Sequence, residues 1–344
     1  MKSMIKIAVF MVAMLLCCCT RQTEPSKQYD ANSHIVNVQK NLKQIKIEEK
    51  DISSFGIPYI LNDYLIISDY MSPDQLIHIF DKNTFSYITS IGERGVGPGE
   101  ITNMGKIVSN PKENAFYVID YGRQKILSFS MDSVLNNPFY KPKEKAVMKE
   151  SEFPSNFQYL NDTLSFSLFI KRLENGDYKP VAAKWNMKTG KVDFMNYTGH
   201  PQIRRKRVSF ASSAKYGVYV ETYWYHDLIS LCSLDGNLKY NLYGAKWNDR
   251  NSNENGYFEG TVIFCGNKIV ANYLGGRRLV ETKSGLKANY PEKLLIFDLE
   301  GNHLSTLDLK YPILSFCYDE DNNRIILNLD NEIQFAYLDL DGLI

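Results

Sequence analysis

The chain has 344 residues, 44% hydrophobic and 23% charged, with a formal net charge of +1. This is ordinary globular composition with ample chain for a large buried core, and all-β propellers and barrels of this length often form one unit. The near-zero charge excludes a general nucleic-acid binder, which needs a strongly basic surface, so any electrostatic specialisation must be local.

At the N-terminus, Lys2 and Lys6 precede an apolar run from Ile7 to Leu16, too short to span a bilayer as a stable helix. The run ends in Leu15-Leu16-Cys17-Cys18-Cys19-Thr20. It resembles a bacterial lipobox, in which a Leu stands three positions before a Cys that is acylated and becomes the new N-terminus. Cys19 fits with Leu16, and Cys18 is the alternative with Leu15. A plain secretory peptide or a short anchor is the other reading. The segment 1–19 is therefore expected to be a lipoprotein signal peptide, and the polar stretch 20–33 a flexible tether. The expected location is the cell envelope, on an outer-membrane lipoprotein facing either the periplasm or the exterior.

From residue 34 onward two elements recur at a period of about fifty residues, the length of a propeller blade. The first is a short β-rich run ending in a small polar or acidic residue: Leu65 to Asp69, Tyr117 to Asp120, Thr163 to Ser167, Val218 to Glu221, Ile269 to Asn272 and Ile325 to Asn328. The second is a strand entering a turn led by Asp, Asn or Ser, at Asp81, Asp132, Asn186, Ser233, Asp298 and Asp339. Asp, Asn and Gly supply the local hydrogen bonds and positive φ that tight hairpins need. No mature segment has a sustained helical period. The sixth repeat stops just after its turn, one strand short, and Leu42 to Glu48 alternates apolar and polar ahead of the first repeat. That segment is expected to pair with the last blade and close the ring. Residues 34–344 thus read as a single all-β, six-bladed propeller of four-stranded blades.

The stretch Ser90-Ile91-Gly92-Glu93-Arg94-Gly95-Val96-Gly97-Pro98-Gly99-Glu100, followed by Phe116 to Phe129, resembles an NHL-type repeat. With the lipobox, the whole is similar to the TolB-like six-bladed propeller lipoproteins of Bacteroidota. That resemblance covers the first two blades well and implies fold and location, with no agreed activity. The glycines here are no phosphate loop, since no Gly-Lys-Ser/Thr ending and no helix follows.

In such a blade the loops between second and third strands share a face with the blade-to-blade crossovers. Of eleven arginines, nine fall in loops of that face: Arg94, Arg123, Arg172, Arg204, Arg205, Arg207, Arg250, Arg277 and Arg278. Tyr70, Tyr121, Tyr223, Trp224, Tyr225 and Tyr273 fall there too. An insertion from about Gly275 to Glu292 is a candidate lid. A guanidinium fork suits carboxylate and phosphate, and aromatic rings suit sugars. This face is the candidate site for an anionic or carbohydrate ligand. The bland alternative is that many of these arginines pair with acids of adjacent blades.

His226 with Asp227 is the one histidine near aromatics on this face, and reads as a hydrogen-bonding loop residue. The acidic turn from Asp319 to Asn323 lacks the EF-hand pattern. Cys232, Cys265 and Cys317 sit in apolar runs and read as core. No catalytic residue, metal or cofactor is expected. The leading reading is a monomeric binding or scaffold lipoprotein that is not an enzyme. The alternatives are an exported hydrolase or lyase on an anionic glycan, or a subunit docking an envelope protein.

Overall fold

The computed structural model describes residues 24–137, 139–161, 163–250, 254–283 and 285–344. The predicted signal segment, with Cys18 and Cys19, lies outside the described residues. The repeat folds as six antiparallel blades of four strands. From inner to outer edge, blade 1 comprises Ile57–Leu61, Tyr64–Ser68, Gln75–Asp81 and Tyr87–Glu93. Blades 2 to 6 begin on the inner strands Met104–Asn110, Glu152–Tyr159, Val208–Ser213, Val262–Cys265 and Ile313–Asp319. The second strands are the first recurring element of the sequence. Ala115–Asp120, Val218–Tyr223 and Arg324–Leu329 are buried along their whole length. A strand pressed on both faces by neighbouring blades favours a continuous apolar run, so these strands do not alternate, and polar residues fall at or near their ends.

The recurring residue at the end of the second strand ties down the crossover entering the same blade. Asp69 accepts hydrogen bonds from the amide and hydroxyl of Ser53, at 2.7 and 2.6 Å. Asp120 accepts from the amides of Thr102 and Asn103. Asn272 accepts from the Thr261 amide and donates to the Glu259 carbonyl. In blade 4 the tie is ionic: Lys206 meets Glu221 at 2.6 Å, and both are buried. Blade 3 departs from the pattern, because its second strand runs on to Arg172 and leaves Ser167 in mid-strand.

The second element forms the outer hairpins. Oδ1 of Asp81 accepts from the amides of Asn83 and Thr84, and Oδ1 of Asn186 from those of Lys188 and Thr189. At Asp132 the expected hairpin is replaced by a short helix, Met131–Asn136, and Asp132 instead accepts a bond from Asn114.

Lys43–Ile45 supplies the outer strand of blade 6, pairing antiparallel with Phe335–Asp339 and closing the ring as expected. The segment ahead of it differs from expectation. Within the tether predicted for 20–33, Ser26–Tyr29 forms a strand parallel to Leu238–Gly244 on the outer edge of blade 4. Ile35–Asn37 does the same on blade 5. The open backbone edge of an outer strand offers donors and acceptors to any chain laid along it, whatever that chain's hydropathy. Tyr29 fixes this strap by donating to the buried Asp227 at 2.5 Å.

Each seam between blades holds its own apolar cluster. That between blades 4 and 5 has fifteen buried residues among those described, including Phe258, Ile269 and Phe297. The closing seam between blades 6 and 1 has seven, including Leu65, Phe80 and Ile326. Charge supplements it there. Asp319 lies between Lys82 (3.4 Å) and Arg324 (2.9 Å), and Arg324 also donates to the Lys82 carbonyl. The acidic turn of blade 6 is thus engaged in ring closure, since Asp321 also pairs with Lys82. Cys232, Cys265 and Cys317 are buried and free, and burial pushes each thiol up.

Candidate functional site

The inner strands enclose a cavity of about 710 Å³ on the propeller axis, within the size range of small-molecule sites. Its two mouths differ. Away from the crossovers, Lys215 of blade 4 reaches Glu320 of blade 6 at 3.5 Å, passing over blade 5 and narrowing the opening. On the crossover side the lip is aromatic. Phe55 and Tyr70, with ring centroids 5.7 Å apart, are 44% and 43% exposed, and half-buried Tyr290 joins them. Burial raises the Tyr290 phenol, and the neighbouring Asp330 and Tyr70 add to the effect.

Hydrogen bonds between successive inner strands hold this mouth rigid. Asn156 of blade 3 donates to the Phe210 carbonyl of blade 4 at 3.2 Å. Ser209 of blade 4 donates to the Gly260 carbonyl at 2.7 Å, where the chain enters blade 5. Ser315 of blade 6 donates to the Gly56 carbonyl, at the entry to blade 1.

Lys106 stands in the wall near this mouth. The inner strand of blade 2 shifts register between Met104 and Ile107, against Asp120 and Val118, which inserts one extra residue. A bulge of this kind re-aims a side chain. Gly105 makes it possible: a Cβ there would come within 2.6 Å of Cε2 of Tyr121 and 3.0 Å of the Ile119 carbonyl oxygen. Lys106 is surrounded by protein yet open to solvent through the cavity, and burial alone pulls its amine down. The other charged residues of the lining, Lys215 and Glu320, are paired with each other. On the adjacent inner strand, burial holds the Tyr59 phenol up at about 12.

The strand order puts all nine predicted arginines on the crossover side, and their roles divide. Arg94 donates to the Tyr70 carbonyl, and Arg123 to the carbonyls of Gly97 and Glu100 at 2.7 and 3.3 Å. These two forks brace the first crossover. Arg278 grips Glu259 through two bonds of 2.6 and 2.9 Å and covers the Tyr225 ring. Arg207 lies 6.0 Å from the Trp224 ring, which meets Tyr225 edge-on, so these four form one contiguous cluster beside the mouth. Trp224 donates to Ser209 of the cavity wall at 2.9 Å. Arg172, Arg204, Arg205, Arg250 and Arg277 are exposed, Arg204 and Arg205 side by side on one crossover and the others apart from them.

Two of the aromatic candidates are not surface residues. Tyr223 is fully buried, its hydroxyl accepting the His200 amide, and Tyr273 is buried against Phe258. Tyr121 backs the Lys106 bulge and packs edge-on to Phe153. His226 is buried, with Nδ1 3.0 Å from the Asn248 carbonyl oxygen. The insertion in blade 5 is a hairpin, Leu279–Thr282 with Gly285–Ala288, standing on the crossover side with Leu286 70% exposed at its tip.

The family model DUF5128, described as a 6-bladed beta-propeller, matches residues 45–291. The chain belongs to that family. Two solved structures share the architecture. One is a DUF4221-family protein from Bacteroides vulgatus, 11% identical, with a TM-score of 0.59 over 86% of this chain and 96% of the other. The second is a Bacteroides fragilis protein whose name describes it as exported, 12% identical, with a TM-score of 0.57 over 90% and 89%. At such identities the likeness is one of fold. No curated protein matches the chain. In this DUF5128 propeller the residues that sequence reasoning passed over are Phe55, Tyr59, Lys106 and Tyr290. Only ring closure brings them together.

Proposed function

We propose that the protein is an exported, lipid-anchored binding protein that receives a carbohydrate-like ligand through the crossover-side mouth of its channel. The observation that carries this reading is the asymmetry of the channel. One end has an aromatic lip on a hydrogen-bonded ring of inner strands, and the other is narrowed by Lys215 and Glu320. Flat rings at the rim of a preformed cavity suit sugar faces, and the Arg207–Trp224–Tyr225–Arg278 cluster extends the surface outward. The hairpin Leu279–Thr282 with Gly285–Ala288 stands on the same side of the molecule as this mouth. Among the described lining residues the one carboxylate is Glu320, already paired, so glycoside hydrolysis by two carboxylates finds no support in the channel.

The anchor is compatible with this orientation. Ser26–Tyr29 runs toward the crossover face, so the preceding chain leaves blade 4 toward the opposite face. Cys19 is seven residues from Ser26, a reach of roughly 25 Å at most. A lipid there would hold the propeller close to the membrane with the aromatic mouth directed away. The exported name of the Bacteroides fragilis neighbour accords with this location.

The test is binding of the full-length protein to acidic and neutral oligosaccharides, beside a Tyr70→Ala, Tyr290→Ala variant with native melting. A loss of tenfold or more in the variant is the expected result. Equal binding by both proteins, or binding by neither, overturns the assignment.

A further inference from the structure

We infer that the channel contains a carboxylate site in which the Lys106 ammonium, presented by the bulge of blade 2, pairs with an acidic group at the inner end of the ligand. This deepens the channel reading above and rests on it for the ligand's route of entry.

Three observations converge on Lys106. It lines a cavity large enough for a sugar of one to a few rings. Its direction is set by an inserted residue that depends on Gly105 fitting against Tyr121, so the side chain is aimed inward by the backbone. Both other charged groups of the lining are spent on each other at the far mouth, which leaves Lys106 as the cation facing the cavity. Burial also lowers its amine, and no neighbouring acid offsets the effect.

The number of charges selects the ligand class. One ammonium neutralises one carboxylate and leaves a neutral pair in the cavity. A phosphate monoester carries close to two charges at neutral pH, and among the described lining residues Lys106 offers only one cation not already paired. The remaining polar groups near this mouth, including Asn156 and Ser209, are suited to hydroxyls. The chemistry described is that of a uronic acid or a similar acidic sugar, with the aromatic lip reading the ring that follows.

The experiment is reductive methylation of the full-length protein with formaldehyde and cyanoborohydride, read residue by residue by peptide mass. The methyl glycosides of galacturonate, galactose and galactose 6-phosphate serve as probes, since the free sugars carry a latent aldehyde that cyanoborohydride would couple to lysine. Galacturonate is expected to slow modification of Lys106 at least fivefold while exposed Lys188 is unaffected, and the two other sugars to protect far less. A Lys106→Met variant should bind galacturonate and galactose equally, whereas Lys106→Arg should keep a preference for the acid. Equal protection by all three sugars, protection by none, or an acid preference that survives in Lys106→Met overturns the inference. The Tyr70→Ala, Tyr290→Ala variant separates the two readings. If galacturonate still protects Lys106 in it while oligosaccharide binding is unchanged from the parent, the carboxylate site stands and the lip assignment fails.

Discussion

Lys82 is buried and Lys106 opens to solvent through the channel, and their electrostatic surroundings are opposite. Lys82 sits at the seam between blades 6 and 1 with Asp319 and Asp321, beside an Arg324 that shares Asp319 and lies over the rings of Phe85 and Tyr337. Lys106 faces the cavity with its charge unopposed by any lining carboxylate that is not already engaged. Where the ring closes with the smallest of the apolar clusters among the described residues, the protein sets buried charges of opposite sign against one another. At the channel wall it bears the desolvation of a cation that contributes nothing to closure. Charge arranged for the fold is paired within the fold, whereas Lys106 has no unengaged acid among the described residues of the channel lining.

The largest effect is expected from Asp319→Ala. Both Lys82 and Arg324 would then remain buried without their shared partner, and breaking a buried ion pair on one side typically costs about 3–5 kcal/mol. Denaturant unfolding should show this loss. A change below about 1 kcal/mol would mean that the seam is held by its apolar cluster and by Lys43–Ile45 alone.

Tyr29→Phe probes the strap in the same way with a smaller stake. It leaves Asp227 with the Lys246 amide and the Tyr273 hydroxyl but without the 2.5 Å bond from Tyr29. An orphaned buried acceptor costs about 1–3 kcal/mol. Raised amide exchange in residues 26–37, with little change in the closing strand, would distinguish the strap from the ring closure.

That strap also marks what sequence could reveal. The period, the hairpins and the closing strand were legible because Asp81, Asn186 and Asp298 carry turn chemistry in their own side chains, and because Leu42 to Glu48 alternates. Ser26–Tyr29 carries no such mark, since its pairing is donated by the backbone edge of a strand more than two hundred residues away. The crossover face was legible through strand order, and the arginines do lie on it. Whether a given fork is free depends on carbonyls such as Gly97 and on acids such as Glu259, which only the fold brings close. Tyr223 looked like a surface aromatic because it precedes Trp224 and Tyr225, yet it is the last residue of a fully buried strand. Lys106 gave no signal at all, because a bulge and a closed ring create its position.

Histidine gives a pH handle on the paired, structural side of the comparison. His78 is buried with Nδ1 2.8 Å from Ser90, and burial, aided by the Lys50 charge, lowers it to about 4 despite nearby Asp69. Burial also lowers His200 and His303. The unfolded chain binds these protons near pH 6.5 while the folded chain resists them, so stability falls as pH drops from about 6.5 toward 4. Asp227, raised by burial, acts in the opposite direction at the acid end. A His78→Asn variant should flatten the acid loss measured by melting temperature. An unchanged slope between pH 6.5 and 4 would show that His78 is not its source.

The smallest effect on stability, and the sharpest one on the comparison, is expected from Lys106→Met. A methionine keeps the length of the side chain, fills the same part of the channel and removes a charge that the fold leaves without an internal partner. The melting temperature should therefore stay the same or rise, in contrast to the fall at Asp319. A clear drop would mean that the ammonium has a structural partner after all and belongs with Lys82. If stability holds while the preference for acidic sugars disappears, the two lysines differ in purpose as well as in surroundings: one closes the ring, and the other is kept for a ligand.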